Sequence, residues 1–296
     1  MKLKLKIVVV LCLLAGTIHA QVKDLRSQLT TIIAPYKATV GIALKCIETG
    51  DTLSVNNAHH YPMQSVYKFP QAMAVLHQVD EGKMSLDQKV HISKKDLDKE
   101  TWSPMYKKYP NGNVDLSLGE LLDYAVSQSD NNACDILFRL LDGPLKANQY
   151  IHSIGFSKIQ MVATEREMHQ KWTAQYTNWA EPTEMTALLE AFYKGKYLSK
   201  SSTDFLMKLM VNSSNSPKRL KGLLPETTVV AHKTGSSGAN KTGLIGATND
   251  VGIITLPDGR HLAITVFVSD ATEDFDTTES IIAQIAKATC DFYLDK

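Results

Sequence analysis

The chain has 296 residues, 44% of them hydrophobic and 21% charged, which excludes a disordered polymer and allows one large domain or two entangled ones. Its 32 basic and 31 acidic side chains leave a formal charge of +1, and neither sign gathers into a block, which argues against a nucleic-acid surface or an acidic tail. A small molecule is the expected partner.

In chain order, the first signal is Lys2, Lys4 and Lys6 ahead of the apolar run Ile7 to Ala15, closed by Ile18-His19-Ala20 before Gln21. This is the pattern of a cleavable secretory signal over residues 1–20. The run is too short to remain as a membrane anchor, and Thr17 stands where a lipoprotein signal would need Cys. The expectation is a periplasmic or secreted protein, monomeric and without an anchor after cleavage. Cys12 leaves with the signal. Cys46, Cys134 and Cys290 are odd in number and far apart, so they are expected as buried thiols and not as a disulfide framework or a metal knuckle.

Residues 22–35 read as an amphipathic helix, followed by strands Thr39 to Ile47 and Thr52 to Val55 joined by the hairpin signal Glu48-Thr-Gly-Asp51. Helical signals then take over. Apolar residues at helical spacing run from Phe69 to Val79 and stop at Gly82, Ser117-Leu-Gly-Glu120 is a capping box opening Leu121 to Ser127, and 183–193 and 202–211 read as further helices. Strands return at Thr227 to Ser236, Leu244 to Leu256 and His261 to Ser269, the last two joined by Pro257-Asp-Gly-Arg260, before a closing helix over 278–293. The pattern predicts an α/β chain of the α+β kind: residues 21–63 and 213–296 build one antiparallel sheet, and 64–212 form an all-helical insert.

Three short motifs carry chemistry. Ser65-Val-Tyr-Lys68 has the Ser-x-x-Lys spacing, which on a helix sets an amine beside a possible nucleophile, although such a spacing occurs by chance roughly once per chain of this length. Taken alone, Ser65 reads equally well as a helix N-cap. Ser129-Asp130-Asn131 is rarer, about 0.05 per chain by chance, and its bland reading is a cap or turn between helices. Lys-Thr-Gly occurs twice within a dozen residues, at 233–235 and 241–243. The first copy ends an apolar strand and is followed by small residues that let a ligand lie against the backbone. The second follows the turn-like Gly238-Ala-Asn240.

The trio Ser-x-x-Lys, Ser-Asp-Asn and Lys-Thr-Gly, in this order along nearly the whole chain after residue 20, resembles a class A β-lactamase. Gln64 before the serine, and Glu165-Arg-Glu-Met168-His169 in place of the commoner Glu-x-x-Leu-Asn, resemble the cephalosporin-preferring branch of anaerobic and other Gram-negative bacteria. The resemblance implies the fold shared by serine β-lactamases and DD-peptidases, with a five-stranded antiparallel sheet flanked by helices. It also implies hydrolysis of penicillins and cephalosporins through an acyl-serine ester, and no cofactor.

Residue by residue, the resemblance implies Ser65 as nucleophile, Lys68 as base or proton relay, Ser129 as proton donor to the departing nitrogen and Asn131 as holder of the substrate amide. It implies Lys233 and Thr234, with Gly235 and Ser236 beside them, as the substrate-binding strand, and the backbone N–H groups of Ser65 and Ser236 as the oxyanion hole. Losing one such donor typically costs about 10²- to 10³-fold in rate, so their placement matters. Arg219 is a second candidate for the substrate carboxylate, its alternative being a solvated cluster Lys218-Arg219-Lys221. The deacylating carboxylate is expected at Glu165, with His169 beside the water or serving as a structural loop residue. Glu181-Pro182 is a decoy whose proline opens the following helix. A DD-peptidase or a β-lactam sensor would share the trio but stall after acylation. No His or Cys cluster has ligand spacing, so no metal is expected.

Overall fold

The structure, a computed structural model, describes residues 24–295; the proposed signal at 1–20 lies outside the described residues. In chain order the elements are α1 (24–33), β1 (Thr39–Cys46), β2 (Thr52–Val55), β3 (Tyr61–Pro62), α2 (Lys68–Asp80), β4 (Lys89–Ile92), α3 (Pro104–Lys108), β5 (Val114–Ser117), α4 (Leu118–Val126) and α5 (Asn131–Leu140). They continue with α6 (Pro144–Ser153), β6 (Ile159–Gln160), α7 (Glu165–Gln170), β7 (Trp179–Ala180), α8 (Pro182–Tyr193), α9 (Lys200–Val211), β8 (Val230–Ser236), β9 (Ile245–Thr255), β10 (His261–Ala271) and α10 (Phe275–Leu294).

The main sheet is antiparallel with order β2-β1-β10-β9-β8, so strands from both ends of the chain meet at its centre. β9 and β10 are buried along nearly all their length, as continuous runs covered on both faces should be. On one face α1 and α10 close a core of Leu25, Leu29, Ile42, Ile264, Val266, Ile281 and Ile285. On the other face lies α8, whose Thr186 hydroxyl donates to the Ala43 carbonyl at 3.2 Å and bonds Thr265 Oγ1 at 2.9 Å.

The second core surrounds α2. Residues Lys68 to Leu76 are all buried, which is the behaviour of a helix enclosed on every side, here by α4, α5, α6 and α9. The capping box forms: Ser117 Oγ accepts the Glu120 N–H and Glu120 accepts the Ser117 N–H, so α4 starts at Leu118, three residues before the expected Leu121. Pro182 stands at the first turn of α8. The three cysteines are buried free thiols.

Two sequence expectations need correction. The 64–212 stretch is not all-helical: it holds the antiparallel β4–β5 pair, and β6 and β7 join β3 in a small sheet of order β3-β7-β6. Ser65 is neither an N-cap nor within an α-helix. It sits in a 3₁₀ turn, Gln64–Tyr67, that leads directly into α2.

Candidate active site

The Ser65 turn is pinned from the sheet. Asn249 of β9 is fully buried, and its side-chain amide donates to the Pro62 and Met63 carbonyls at 2.8 and 3.1 Å. Gly235 of β8 presses against the same turn, where a Cβ would stand 2.4 Å from the Met63 oxygen, so only glycine fits. Gln64, just before the serine, has φ 48°, and Ser129 has φ 56°, both left-handed conformations that cost non-glycine residues energy and are held here by their surroundings.

Around the turn the expected side chains converge. Lys68 Nζ, fully buried, donates to the Ser129 carbonyl at 2.9 Å and Asn131 Oδ1 at 2.6 Å, and meets Glu165 Oε1 at 3.0 Å. Those are three donor contacts, the full complement of an ammonium. Ser65 Oγ lies 3.5 Å from the same Glu165 oxygen. Lys233 Nζ donates to Ser129 Oγ and to the Thr234 carbonyl, each at 2.9 Å, which leaves Ser129 its own O–H to give and Lys233 a third N–H. Burial, followed by the Lys68 charge, pushes the Lys233 ammonium well below the usual lysine range. Ser65, Ser129, Asn131, Glu165, His169, Thr234, Gly235 and Ser236 all line one cleft of about 570 Å³. Glu165 stands at the head of α7, whose capping box joins Thr164 and Glu167.

Two expected alternatives resolve differently. Glu181 lies away from the cleft, facing Asn57 at 3.4 Å, Lys158 at 3.6 Å and His60 at 3.9 Å, so its work is structural. Lys241 is exposed in a turn organised by Asn240, whose Oδ1 accepts the N–H groups of Thr242 and Leu244. Arg219 corrects the reading of a solvated basic cluster: it is fully buried, with Nε on Glu279 at 3.0 Å, Nη1 on the Gly235 and Asn249 carbonyls and Nη2 on Ser236 Oγ at 2.6 Å.

The profile of the Beta-lactamase enzyme family matches residues 24–293. The solved class A β-lactamase from Bacteroides cellulosilyticus is 35% identical, with a TM-score of 0.89 over 93% of this chain and 99% of that one. This chain belongs to the class A β-lactamases. Among similar curated relatives from Pseudomonas aeruginosa, β-lactamase VEB-1 is 44% identical over the full length of both chains. Extended-spectrum β-lactamase PER-1 is also 44% identical, over 94% of this chain and 90% of its own length.

In this β-lactamase two further residues act on the site that the sequence did not single out. Asp135, one turn beyond Asn131 on α5, accepts the backbone N–H groups of Glu165 at 2.8 Å and Arg166 at 3.1 Å, so it fixes the head of α7. Burial, then the Glu165 charge, pushes the Asp135 carboxyl up to about 6. Its spacing of four from Asn131 was the one available hint. Gln175 bonds Gln64 at 2.6 Å and packs on Gly246, tying the loop after α7 to the Ser65 turn.

Proposed function

We propose that the protein hydrolyses the lactam ring of penicillins and cephalosporins through an ester on Ser65, with a preference for cephalosporins. The observation that carries this reading is the position of Glu165 Oε1, 3.5 Å from Ser65 Oγ and 3.0 Å from Lys68 Nζ. A carboxylate within reach of the nucleophile serves to activate the water that releases an acyl-enzyme, which a DD-peptidase or sensor lacks.

In the first half-reaction Ser65 Oγ attacks the lactam carbonyl while its proton passes to the Glu165–Lys68 pair. The oxyanion is received by the N–H groups of Ser65 and Ser236. Ser129, held by Lys233, gives its proton to the departing nitrogen and is reprotonated from the Glu165–Lys68 pair, which returns that pair to its starting state. Lys233 and Thr234 take the substrate carboxylate, and Asn131, whose Nδ2 donates to Thr101 Oγ1 at 2.7 Å, offers its amide to the substrate side chain. Arg219 acts through Ser236, and His169, exposed beside the cleft, contacts the water or the substrate. In the second half-reaction Glu165 draws a proton from water as it attacks the ester, and that proton passes to Ser65 Oγ as the ester C–O bond breaks and the ring-opened acid leaves. The extended-spectrum name of PER-1 supports cephalosporin turnover.

Hydrolysis rates for nitrocefin, benzylpenicillin and a bulky oxyimino cephalosporin test the reading. Many turnovers per molecule, fastest on the cephalosporins, are expected; a single stoichiometric acylation would favour a peptidase or sensor. We further infer export to the periplasm with cleavage after Ala20, supported by the Lys2, Lys4 and Lys6 pattern before the apolar run, and propose a monomeric mature enzyme. N-terminal sequencing and the hydrodynamic mass of the mature protein check both.

A further inference from the structure

The peptide that joins Gln64 to Ser65 carries one of the two N–H groups of the oxyanion hole, so the backbone angles of Gln64 aim that donor. Gln64 has φ 48°, a conformation that a residue with a side chain keeps only when its surroundings hold it. Three neighbours do so. Asn249 holds the Met63 carbonyl just before it at 3.1 Å, and Gly235 lies so near that a Cβ there would come within 3.1 Å of the Gln64 Cβ. The third is a grip on the side chain itself: Gln64 Nε2 donates to Gln175 Oε1 at 2.6 Å.

Gln175 is built for that grip. It is 3% exposed, and its Nε2 donates to the Trp172 carbonyl at 2.9 Å, which orients the amide so that Oε1 is the atom presented to Gln64. The adjacent Tyr176 donates its hydroxyl to Asp270 of β10 at 2.5 Å, so this segment is anchored on the sheet independently of Gln64. The same amide rests on Gly246 of β9, where a Cβ would stand 2.5 Å from Oε1. The next residue, Ala247, accepts the Ser237 N–H and donates its own N–H to Ser237 Oγ, each at 2.9 Å. One buried amide therefore touches the residue before Ser65 and the strand that holds the residue after Ser236.

We propose that Gln175 is a positioning residue for the oxyanion hole: it keeps Gln64 left-handed and so aims the Ser65 N–H at the point that the Ser236 N–H also faces. The proposal rests on the reading of Ser65 and Ser236 as the oxyanion donors. An oxyanion forms when Ser65 attacks the lactam and again when water attacks the ester, so a misaimed N–H weakens both steps and any tetrahedral adduct on Ser65. A mere tether for the loop that carries Glu165 would slow only the second step.

The test is the affinity for phenylboronic acid, whose boron accepts the Ser65 oxygen, becomes tetrahedral and sets one of its hydroxyl oxygens where the oxyanion would lie. Gln175→Met, close in shape but without the bond, should weaken this binding about tenfold, less than the 10²- to 10³-fold of a whole lost donor. The same substitution placed on Ser65→Ala, which binds benzylpenicillin without acylation, should change that ground-state affinity by less than about twofold. Gln64→Met breaks the same bond from its half-buried end and serves if Gln175→Met fails to fold. The two together should cost no more than either alone, because they remove one interaction. Unchanged boronate affinity in both variants, equal weakening of benzylpenicillin, or additive losses would overturn the proposal. Slow release of the acyl-enzyme with boronate affinity kept would identify the tether instead, and overturns it as well. The boronate reads this site without lactam turnover, so a wild type that binds it but hydrolyses no lactam would strike the proposed function and leave the positioning role standing.

Discussion

Arg219 lies directly behind Ser236, its Nη2 donating to the serine hydroxyl at 2.6 Å while Nη1 holds the Gly235 and Asn249 carbonyls at 3.0 and 2.8 Å. One guanidinium thus fastens the cleft end of β8 to β9. Lysine cannot copy that planar fork. Arg219→Lys is expected to lower kcat/KM, and Arg219→Ala also to remove about 3–5 kcal/mol of unfolding free energy, since Glu279 is left buried and unpaired. Denaturant unfolding alongside steady-state kinetics checks this, and wild-type behaviour of Arg219→Lys in both would refute it.

Ser65→Ala should abolish hydrolysis while leaving the fold intact. Glu165→Gln should still acylate but release product slower by at least about 10²-fold, the lower range for a lost general base, so that intact-mass spectra show an accumulated adduct. Glu181→Gln should turn over nearly normally, because Glu181 faces Lys158 and His60 away from the cleft. A trapped adduct in Glu181→Gln alone would reverse the assignment.

The two Lys-Thr-Gly copies make a matched pair of tests. Lys233→Ala is expected to lower kcat/KM by about 10²-fold or more, as loss of an anchoring charge should. Lys241→Ala, in an exposed turn, should stay within about 0.5 kcal/mol of wild-type stability and keep its activity. Equal kinetic damage from both would sink the distinction.

Asp135 gives a pH prediction with a definite sign. Its folded carboxyl is pushed up to about 6, above the ordinary value of 3.8, so the folded state holds this proton more tightly than the unfolded chain does. The stability from that proton is fully present below the unfolded value and is lost as pH rises from there through the folded value. Asp135→Asn should therefore show a flatter dependence of melting temperature on pH between about 4 and 6.5 than wild type. Parallel melting curves for the two proteins across that window would disprove it.

Much of this architecture was legible because it rests on local pattern. The three late strands show as apolar runs between turn signals, and the Ser117–Glu120 box announces α4. The first Lys-Thr-Gly is marked by the strand that carries it. What stayed hidden depends on partners distant in sequence. Lys218-Arg219-Lys221 reads as a solvated cluster until α10 brings Glu279 across, 60 residues later. β3, β6 and β7 have two residues each, too few to show alternation. Asp135 looks like any helical acid until α7 docks on it.

The pairing of β1 with β10 carries a consequence for assembly. Thr39 and Ser269, 230 residues apart, are partners at the centre of the sheet. β1 and β2 can form their hairpin early, but the hairpin has no neighbour on its other side until β10 arrives. β9 and β10 in turn need α10 to cover Ile254, Ile264 and Val266. Contacts so remote in sequence make closure slow, because loop entropy must be overcome before they repay it. Ser65 sits in the first quarter of the chain, yet the turn that presents it is held by Asn249 and Gly235 from the last quarter. Ser65 is thus made long before it is aimed, and a nascent chain carrying Ser65, Lys68 and Ser129 is expected to stay inert toward substrate until the final strands have folded in.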